Sequence, residues 1–539
     1  MSSQFISAGW PYLYDVPGLH NCVPMLFADV VARHGRLGGH DVYYLCGSDD
    51  HGSRMEFVAS GYGTTPEQLV RAKYDATLPL LQRMGLSFDR FGRTSEPAHK
   101  AYVREVLTRL RERGWLHPRE VPVPWCDACN RFLPDRFVEG SCPHCGGRAY
   151  GNQCEAKRGC DRLIGPEELK DPRCALCHAP TTLRSSRHWV FPLAKFAERA
   201  TRGLSSSPSS RDDVMRMVQE TAEKIPEVVI TRDVRWGISL PWEEPEGKTV
   251  YNWIDSLLAK VSHTRLEGPG REDAFFRDPG ARKVFFLGRD GVPFYAVLFP
   301  ALLEAAELGY DLGNWWVVPN DVFIYEGGVC SKSTGTGIWL AEALNTLPGD
   351  LWRFYVFYAT ARRDAASRDV DFRWDRFCSS LKEELIDPLE ALLKYAGAGI
   401  SGDDAALGPV EAAVWRVNEL LEEMSVGPAF AALLDGLVLL QAAAKGGAAS
   451  TAVRAGLERL LPLLSCYVPD TAAGAQALLA KGPVSGARLF PKGAPRHREV
   501  QRRYQGLVDD RRAQRSIEES VTDARADALC VCPINLQER

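Results

Sequence analysis

The sequence has no run of about 18 apolar residues, so no segment is expected to span a membrane. Its opening, MSSQFISAGWPYLYDVPG, has neither a basic start nor a long apolar stretch. It is therefore expected not to be a secretory signal. Neither charge dominates: 65 Lys and Arg stand against 69 Asp and Glu, a net charge of −4. That balance excludes a bulk nucleic-acid binder held by charge alone, though not a local basic surface. No solenoid-type repeat is present, and no HExxH pattern that would mark a zinc hydrolase. Histidine is scarce: of 11, only His497 follows His263. Hydrophobic residues make up 45% and charged residues 25%, which excludes wholesale disorder. The 539 residues suffice for three or four domains of roughly 150 residues, each with its own core. A soluble, cytoplasmic protein is expected.

Cysteine is plentiful but uneven. Of 15, eight lie between Cys126 and Cys177, a clustering that in a large intracellular chain reads as metal binding rather than a disulfide frame. Cys126-x2-Cys129 is followed after twelve residues by Cys142-x2-Cys145. Two thiolate pairs on tight turns give four soft ligands at tetrahedral reach, which suits Zn2+. A second set is Cys154, Cys160, Cys174 and Cys177, its first pair spaced x5. Protein groups fill all four positions in each set, so the metal is read as structural.

Strand and helix signals alternate at the start: a strand at Gln4–Ala8, a helix over Val23–Arg36, a strand at Asp41–Cys46. Thr65 caps a further helix, with Pro66 at its first position and Gln68 three residues on. Such alternation favours a parallel sheet with crossover helices. From about Trp115 to Ile230 the pattern breaks into the cysteine block and a Ser-rich loop at Gly203–Pro208. Strands return at Lys283–Gly288 and Asn314–Pro319. Beyond Leu351 the periodicity is helical, with Val410, Val414, Val417, Leu421 and Met424 on one face. Ala- and Gly-rich joints fall at Ala396–Leu407 and Gly446–Ser450. The tail past Arg511 is polar.

Glu326-Gly327-Gly328-Val329-Cys330-Ser331-Lys332-Ser333 resembles the lysine-bearing phosphate loop of class I aminoacyl-tRNA synthetases. Pro11-Tyr12, Ala28-Asp29-Val30, Cys46–Gly52, Arg131–Gly140, Arg232–Gly237, Val250-Tyr251-x-Trp253-Ile254-Asp255 and Leu464–Ala472 are similar to blocks of the methionyl-tRNA synthetase family. The resemblance implies an α/β, Rossmann-type catalytic domain in two halves, residues 1–115 and 231–350. A zinc-knuckle insertion (116–230) would divide it. An α-helical, anticodon-binding-like bundle (351–510) and a polar tail (511–539) would follow. It also implies ATP, with Mg2+, and adenylation of an amino-acid carboxylate. The carboxylate is a poor electrophile, and the anhydride with AMP gives it a good leaving group. Catalytic groups would be His20, Asn21 and Lys332. ATP would be held by Gly18, Gly288, Asp290, Arg232, Ser331 and Ser333. The amino acid would meet Trp10, Tyr12, Asp49, Trp253, Ser256, Lys260, Gly291 and Tyr295, with Asp49 on its ammonium. Structural Zn2+ would sit on the eight cysteines.

The departures from the family pattern fall in functional places. Gly18-Leu19-His20-Asn21 has Gly in the first His position and His in the Gly position. His20 either substitutes from the next position or crowds the ATP. Val329 stands where a second loop Lys is usual; Lys332 is kept. Around the side-chain pocket Trp10 replaces Leu, Ser256 Ala, Leu257 Pro, Lys260 Tyr, Gly291 Ile and Tyr295 His. Lys260 either faces inward and needs an anionic or polar partner, or snorkels outward and pairs elsewhere. Gly291 would open volume that Trp10 takes away. In the bundle, Asp387 and Glu390 would repel phosphate, Ala391 cannot bond a base, and 439–447 holds no aromatic residue to stack on one.

The departures lead to an expected ATP-dependent activation of an amino acid other than methionine, with transfer to a small nucleophile such as an N-hydroxylated amino acid rather than to tRNA. The synthetase-like part of hydrazine-forming enzymes is similar in kind. Its cupin would here have to be a separate partner chain. Two rivals stand beside this: a methionine–tRNA ligase with drifted motifs, and a non-catalytic synthetase fold used for binding.

Overall fold

A computed structural model describes residues 2–151, 153–154, 164–208, 210–243, 248–330, 336–363, 369–402, 407–481, 488–490 and 493–512. Its centre is a six-stranded parallel sheet. The strands are β1 (Ser3–Ala8), β2 (Asp41–Ser48), β3 (Arg90–Arg93), β4 (Leu204–Ser205), β5 (Arg282–Gly288) and β6 (Trp315–Asn320), in the order β4-β6-β5-β1-β2-β3. Both faces are covered, so the central strands read as near-continuous apolar runs rather than alternating ones. Phe5, Ile6, Tyr44, Val284, Phe285, Phe286 and Val317 are all buried. The strand order reverses between β1 and β5, and a crevice at the carboxyl ends of strands belongs at such a switch point. The sequence places β1, β2, β5 and β6 correctly. It places Leu204–Ser205 in a loop, whereas this segment pairs with Trp315–Trp316 as an edge strand. Two paired residues are too short for a periodicity to show.

Helix α1 (Leu19–Leu37) follows β1 and begins earlier than the expected Val23. Its start is fixed by Gly18, whose backbone N–H donates to Asn21 Oδ1 at 3.0 Å. The Thr65 cap forms as expected: Gln68 N–H donates to Thr65 Oγ1 at 3.2 Å and Thr65 N–H to Gln68 Oε1 at 3.3 Å. Helix α2 (Asn252–Leu266) lies over the sheet, nearly all of it buried.

The bundle is built from α3 (Gly349–Ala361), α4 (Asp387–Ala396), α5 (Gly408–Glu422), α6 (Val426–Lys445), α7 (Ser450–Tyr467) and α8 (Pro469–Ala480). Val410, Val417, Leu421 and Met424 are buried on one side of the α5 region, with Val414 partly buried beside them, as the periodicity requires. The joints fall at the two Ala- and Gly-rich stretches. By length and composition α6 is apolar enough to cross a membrane. Here its Phe430, Leu433, Leu434, Leu437 and Leu440 are buried within the bundle.

One buried ion pair ties bundle to sheet. Arg353 on α3 donates from Nη2 to Asp29 Oδ2 on α1 at 2.7 Å, and neither side chain is exposed. Its other N–H groups reach Tyr467 O, Cys466 O, Met84 O and Gly85 O at 2.6 to 3.2 Å. Arg33 shares Oδ2, and Ser87 donates to Oδ1 from both N–H and Oγ. Two of the family-like blocks, Ala28-Asp29-Val30 and Leu464–Ala472, thus meet through a residue in neither.

The cysteine block folds as two small antiparallel sheets. His117–Cys126 pairs along its length with Thr182–Phe191, and Val138–Ser141 pairs with Arg148–Tyr150 and Lys170–Cys174. The cysteines do not group as their spacing suggests. Cys126, Cys129, Cys174 and Cys177 gather their sulfurs within 4.8 Å of one another, and Cys142, Cys145 and Cys154 form a second group. The first and last knuckles of the block share one site because His117–Cys126 and Thr182–Phe191 zip together and bring both turns to one end. Thiolates at about 2.3 Å around a tetrahedral zinc lie about 3.8 Å apart. The Cys126–Cys177 and Cys129–Cys174 sulfurs are 3.5 and 3.8 Å apart, so the first group fits Zn2+. The second offers three thiolates; Cys160, expected to ligate with them, lies outside the described residues.

Two outcomes follow. Removing one partner of the central pair, as in Arg353→Met, leaves Asp29 buried and unpaired and is expected to cost about 3–5 kcal/mol in urea unfolding; unchanged stability would show the pair to be dispensable. Burial alone would raise the Asp29 carboxyl, but Arg353, Arg33 and Ser87 outweigh it and hold it below the ordinary 3.8. A lowered folded value means the contribution is complete above about pH 4 and is lost as pH falls through that value. For the metal, Cys126→Ser and Cys174→Ser are each expected to lose the same ion, so metal analysis of the double variant should find as much as in either single one. A further ion lost in the double variant would restore the pairing read from spacing.

Candidate functional site

The segments leaving β1 and β2 run side by side at the switch point. Asp49 N–H donates to Pro11 O at 3.0 Å, which sets Tyr12 against Asp49 in a parallel bridge. Asn252, at the start of α2, donates from Nδ2 to the Tyr12 hydroxyl and to Asp49 Oδ2, the latter at 3.1 Å. Asp49 is 3% exposed. Burial, and then the neighbouring Asp255, push its carboxyl well above the usual range. A cation placed beside it would reverse that shift, since an opposite charge favours the ionised carboxylate. The Tyr12 hydroxyl is raised by burial and by Asp49.

Behind them His51 Nδ1 and Asp255 Oδ2 are 2.8 Å apart. Burial lowers His51 to about 3 and raises Asp255 well above its ordinary value. Neither residue was named as a site residue from sequence, nor was Asn252. All three lie inside or beside motifs already singled out, and only the fold shows which of their side chains turn inward.

Two further family-like blocks dock here, Arg131–Gly140 of the insertion and Arg232–Gly237 just beyond it. Arg131 donates to Glu56 Oε1 at 2.8 Å, and the Arg235 and Trp236 backbone N–H groups donate to Glu56 Oε2. Trp236 Nε1–H donates to Asp50 O. Arg232, expected on ATP, donates to Val229 O and Thr231 O and lies 3.7 Å over the Tyr251 ring.

At the nucleotide end, His20 lies against Gly18: a Cβ on Gly18 would stand 2.5 Å from the His20 ring. The ring also meets Trp339 edge-on at 5.9 Å. Asn21 spends its carboxamide oxygen on the Gly18 N–H. Asp290 is exposed beyond β5, its carboxylate folded back over Gly288. Ser331, Lys332 and Ser333 lie outside the described residues. The chain's last described helical stretch reaches this end, with the Tyr504 hydroxyl donating to Gly337 O at 3.0 Å and accepting from Trp339 N–H at 2.7 Å.

The side-chain end is the most altered part. Trp10 fills it: Gly47 has no room for a Cβ, which would stand 2.7 Å from the Trp10 ring. Lys260 points inward and is fully buried, so outward snorkelling is ruled out. Among the described residues no carboxylate is bonded to it either. Its Nζ donates to Ser256 O at 2.7 Å and lies 4.6 Å over the Trp10 ring and 5.1 Å over Tyr295. Burial brings it down to about 7. The room expected at Gly291 is absent, since a Cβ there would stand 2.8 Å from Leu287 Cδ1. Trp253 stacks on Phe294 at 4.0 Å.

Residues 4–396 match the family described as tRNA synthetases class I (M). The methionine–tRNA ligase of Aeropyrum pernix is 33% identical over 98% of both chains. That of Korarchaeum cryptofilum is 34% identical over 78% of this chain and 76% of its own. The Mycobacterium tuberculosis methionyl-tRNA synthetase, solved in complex with methionyl-adenylate, superposes with a TM-score of 0.69 at 17% identity, over 91% of this chain and 100% of that one. These likenesses favour the methionine–tRNA ligase rival over the small-nucleophile expectation. They lend no support to a hydrazine-forming role or a cupin partner. The family model over residues 4–396, together with a relative 33% identical over 98% of the chain, identifies the chain as a member of the class I aminoacyl-tRNA synthetase family of the methionyl type and an ATP-dependent ligase that forms aminoacyl adenylates.

Proposed function

We propose that the chain is an aminoacyl-tRNA ligase on the methionine–tRNA ligase plan. The observation that carries this is the 33% identity extending over 98% of the chain, bundle included. Asp49 receives the substrate ammonium, held in place by Asn252 and flanked by Tyr12 and Trp253. The amino-acid carboxylate attacks the α-phosphorus of ATP, which enters with Mg2+, and pyrophosphate leaves. A terminal tRNA hydroxyl then attacks the acyl carbon and AMP leaves. His20 and the amino end of α1 would serve the phosphates, where donors stabilise the charge that develops.

The acidic residues of α4 argue less strongly against tRNA than their sequence suggests. Lys382 pairs with Asp387 at 2.6 Å, and Glu390 accepts the Phe490 N–H at 3.1 Å. Both charges are engaged within the protein. For the amino acid, a second reading is favoured by one observation. Lys260 occupies the side-chain end, where a thioether would leave its ammonium with the Ser256 carbonyl as its one hydrogen-bond acceptor among the described residues. On that reading the substrate is an amino acid other than methionine.

Charging of bulk tRNA with each labelled amino acid, beside ATP–pyrophosphate exchange, separates these. Amino-acid-dependent exchange together with base-labile label on tRNA is the expected result. Exchange without tRNA charging would favour a small nucleophile as acceptor, and no exchange with any amino acid would favour a fold used only for binding.

A further inference from the structure

The side-chain end of the crevice is lined by donors with too few acceptors. The Lys260 ammonium carries three N–H bonds and places one of them, on Ser256 O at 2.7 Å. Trp10, only 6% exposed, has its Nε1–H buried with no acceptor. Two aromatic faces, Trp10 and Tyr295, hold the ammonium by their electron clouds at 4.6 and 5.1 Å, which is attraction without a hydrogen bond. Buried polar groups are nearly always satisfied, and orphaned donors call for an explanation. Asp49, Asp255 and Cys46 are the ionisable groups that bear on Lys260, all of them buried. Asp49 is expected to serve the substrate ammonium, and Asp255 is bonded to His51 through Oδ2, its buried Oδ1 having no partner among the described residues. Neither is bonded to Lys260.

We propose that Lys260 and Trp10 select an amino acid whose side chain ends in a carboxylate, with Lys260 the specificity-determining residue. This rests on the adenylate-forming reading and on the second of its two substrate readings. A carboxylate offers about four lone-pair sites, enough for the free ammonium protons and the indole N–H together. A thioether offers one weak acceptor and would leave the same donors buried. The lysine stem is flexible, so Nζ can leave the Ser256 carbonyl and follow the ligand. Bringing an anion beside it also restores the charge that burial suppresses, since an opposite charge at contact distance favours the ammonium. A site built on a charged hydrogen bond rejects the uncharged isostere strongly, because the wall is then left unpaired.

The test is ATP–pyrophosphate exchange by the full chain with each of the twenty amino acids, aspartate and glutamate being compared with asparagine, glutamine, glycine and methionine. One acidic amino acid is expected to exceed its amide by on the order of 100-fold in kcat/KM. Lys260→Met should lose a similar factor for the acid, and Lys260→Arg should stay within about tenfold. If Lys260→Met fails to fold, the acid-against-amide comparison on the unaltered protein stands alone. Exchange led by methionine or glycine would overturn the inference and leave adenylate formation intact. Exchange with none of the twenty amino acids would instead overturn the adenylating reading beneath it.

Discussion

A buried arginine is tolerated only when every donor has a partner, and Arg353 meets that condition with groups from three separate stretches of chain. Asp29 lies on α1, Met84 and Gly85 end the helix before β3, and Cys466 and Tyr467 close α7. The guanidinium fork is planar and rigid, so satisfying it fixes these elements relative to one another. Its partner Asp29 is equally occupied, with Arg33 and Ser87 on its remaining lone pairs. A pair of this kind contributes modestly to net stability, because desolvation offsets most of its attraction. Its consequence is geometric. Helix α1 cannot rotate without stranding charge, and its amino end carries Gly18, His20 and Asn21 to the crevice.

From that fixed helix the remaining geometry follows in steps. The segments after β1 and β2 bond to each other, Asn252 bridges Tyr12 and Asp49, and the insertion closes over them through Glu56. The result is a carboxyl at the switch point whose ionisation burial disfavours. A cation placed beside Asp49 would reverse that shift. On the proposed reading, the part common to all amino acids is met at Asp49 and the side chain several residues along α2, at Ser256 and Lys260.

Much of this was legible in the sequence, for identifiable reasons. The central strands declare themselves as unbroken apolar runs, and the Thr65 cap and the bundle face are local patterns. The motifs mark Asp49, Tyr12 and Lys260 before any coordinates. Other features depend on distant pairings that no local pattern encodes. Spacing says which cysteines share a turn, but which turns meet is decided by the long pairing of His117–Cys126 with Thr182–Phe191. Leu204–Ser205 is too short to look like a strand. Gly291 reads as added space until Leu287 is seen to fill it. Arg353 sits in a helix whose sequence does not announce a buried charge, and its partners span most of the chain. Lys260 left two orientations open, and the fold chose the buried one without supplying a carboxylate.

The most direct test is calorimetric titration with non-hydrolysable aminoacyl-sulfamoyl adenosines, one carrying a methionine and one an acidic side chain. Binding of at least one at a single site per chain is expected, abolished by Asp49→Ala and unaffected by Cys142→Ser. Binding of neither, or binding that survives Asp49→Ala undiminished, would contradict the assignment of the switch-point crevice as the place where the adenylate forms.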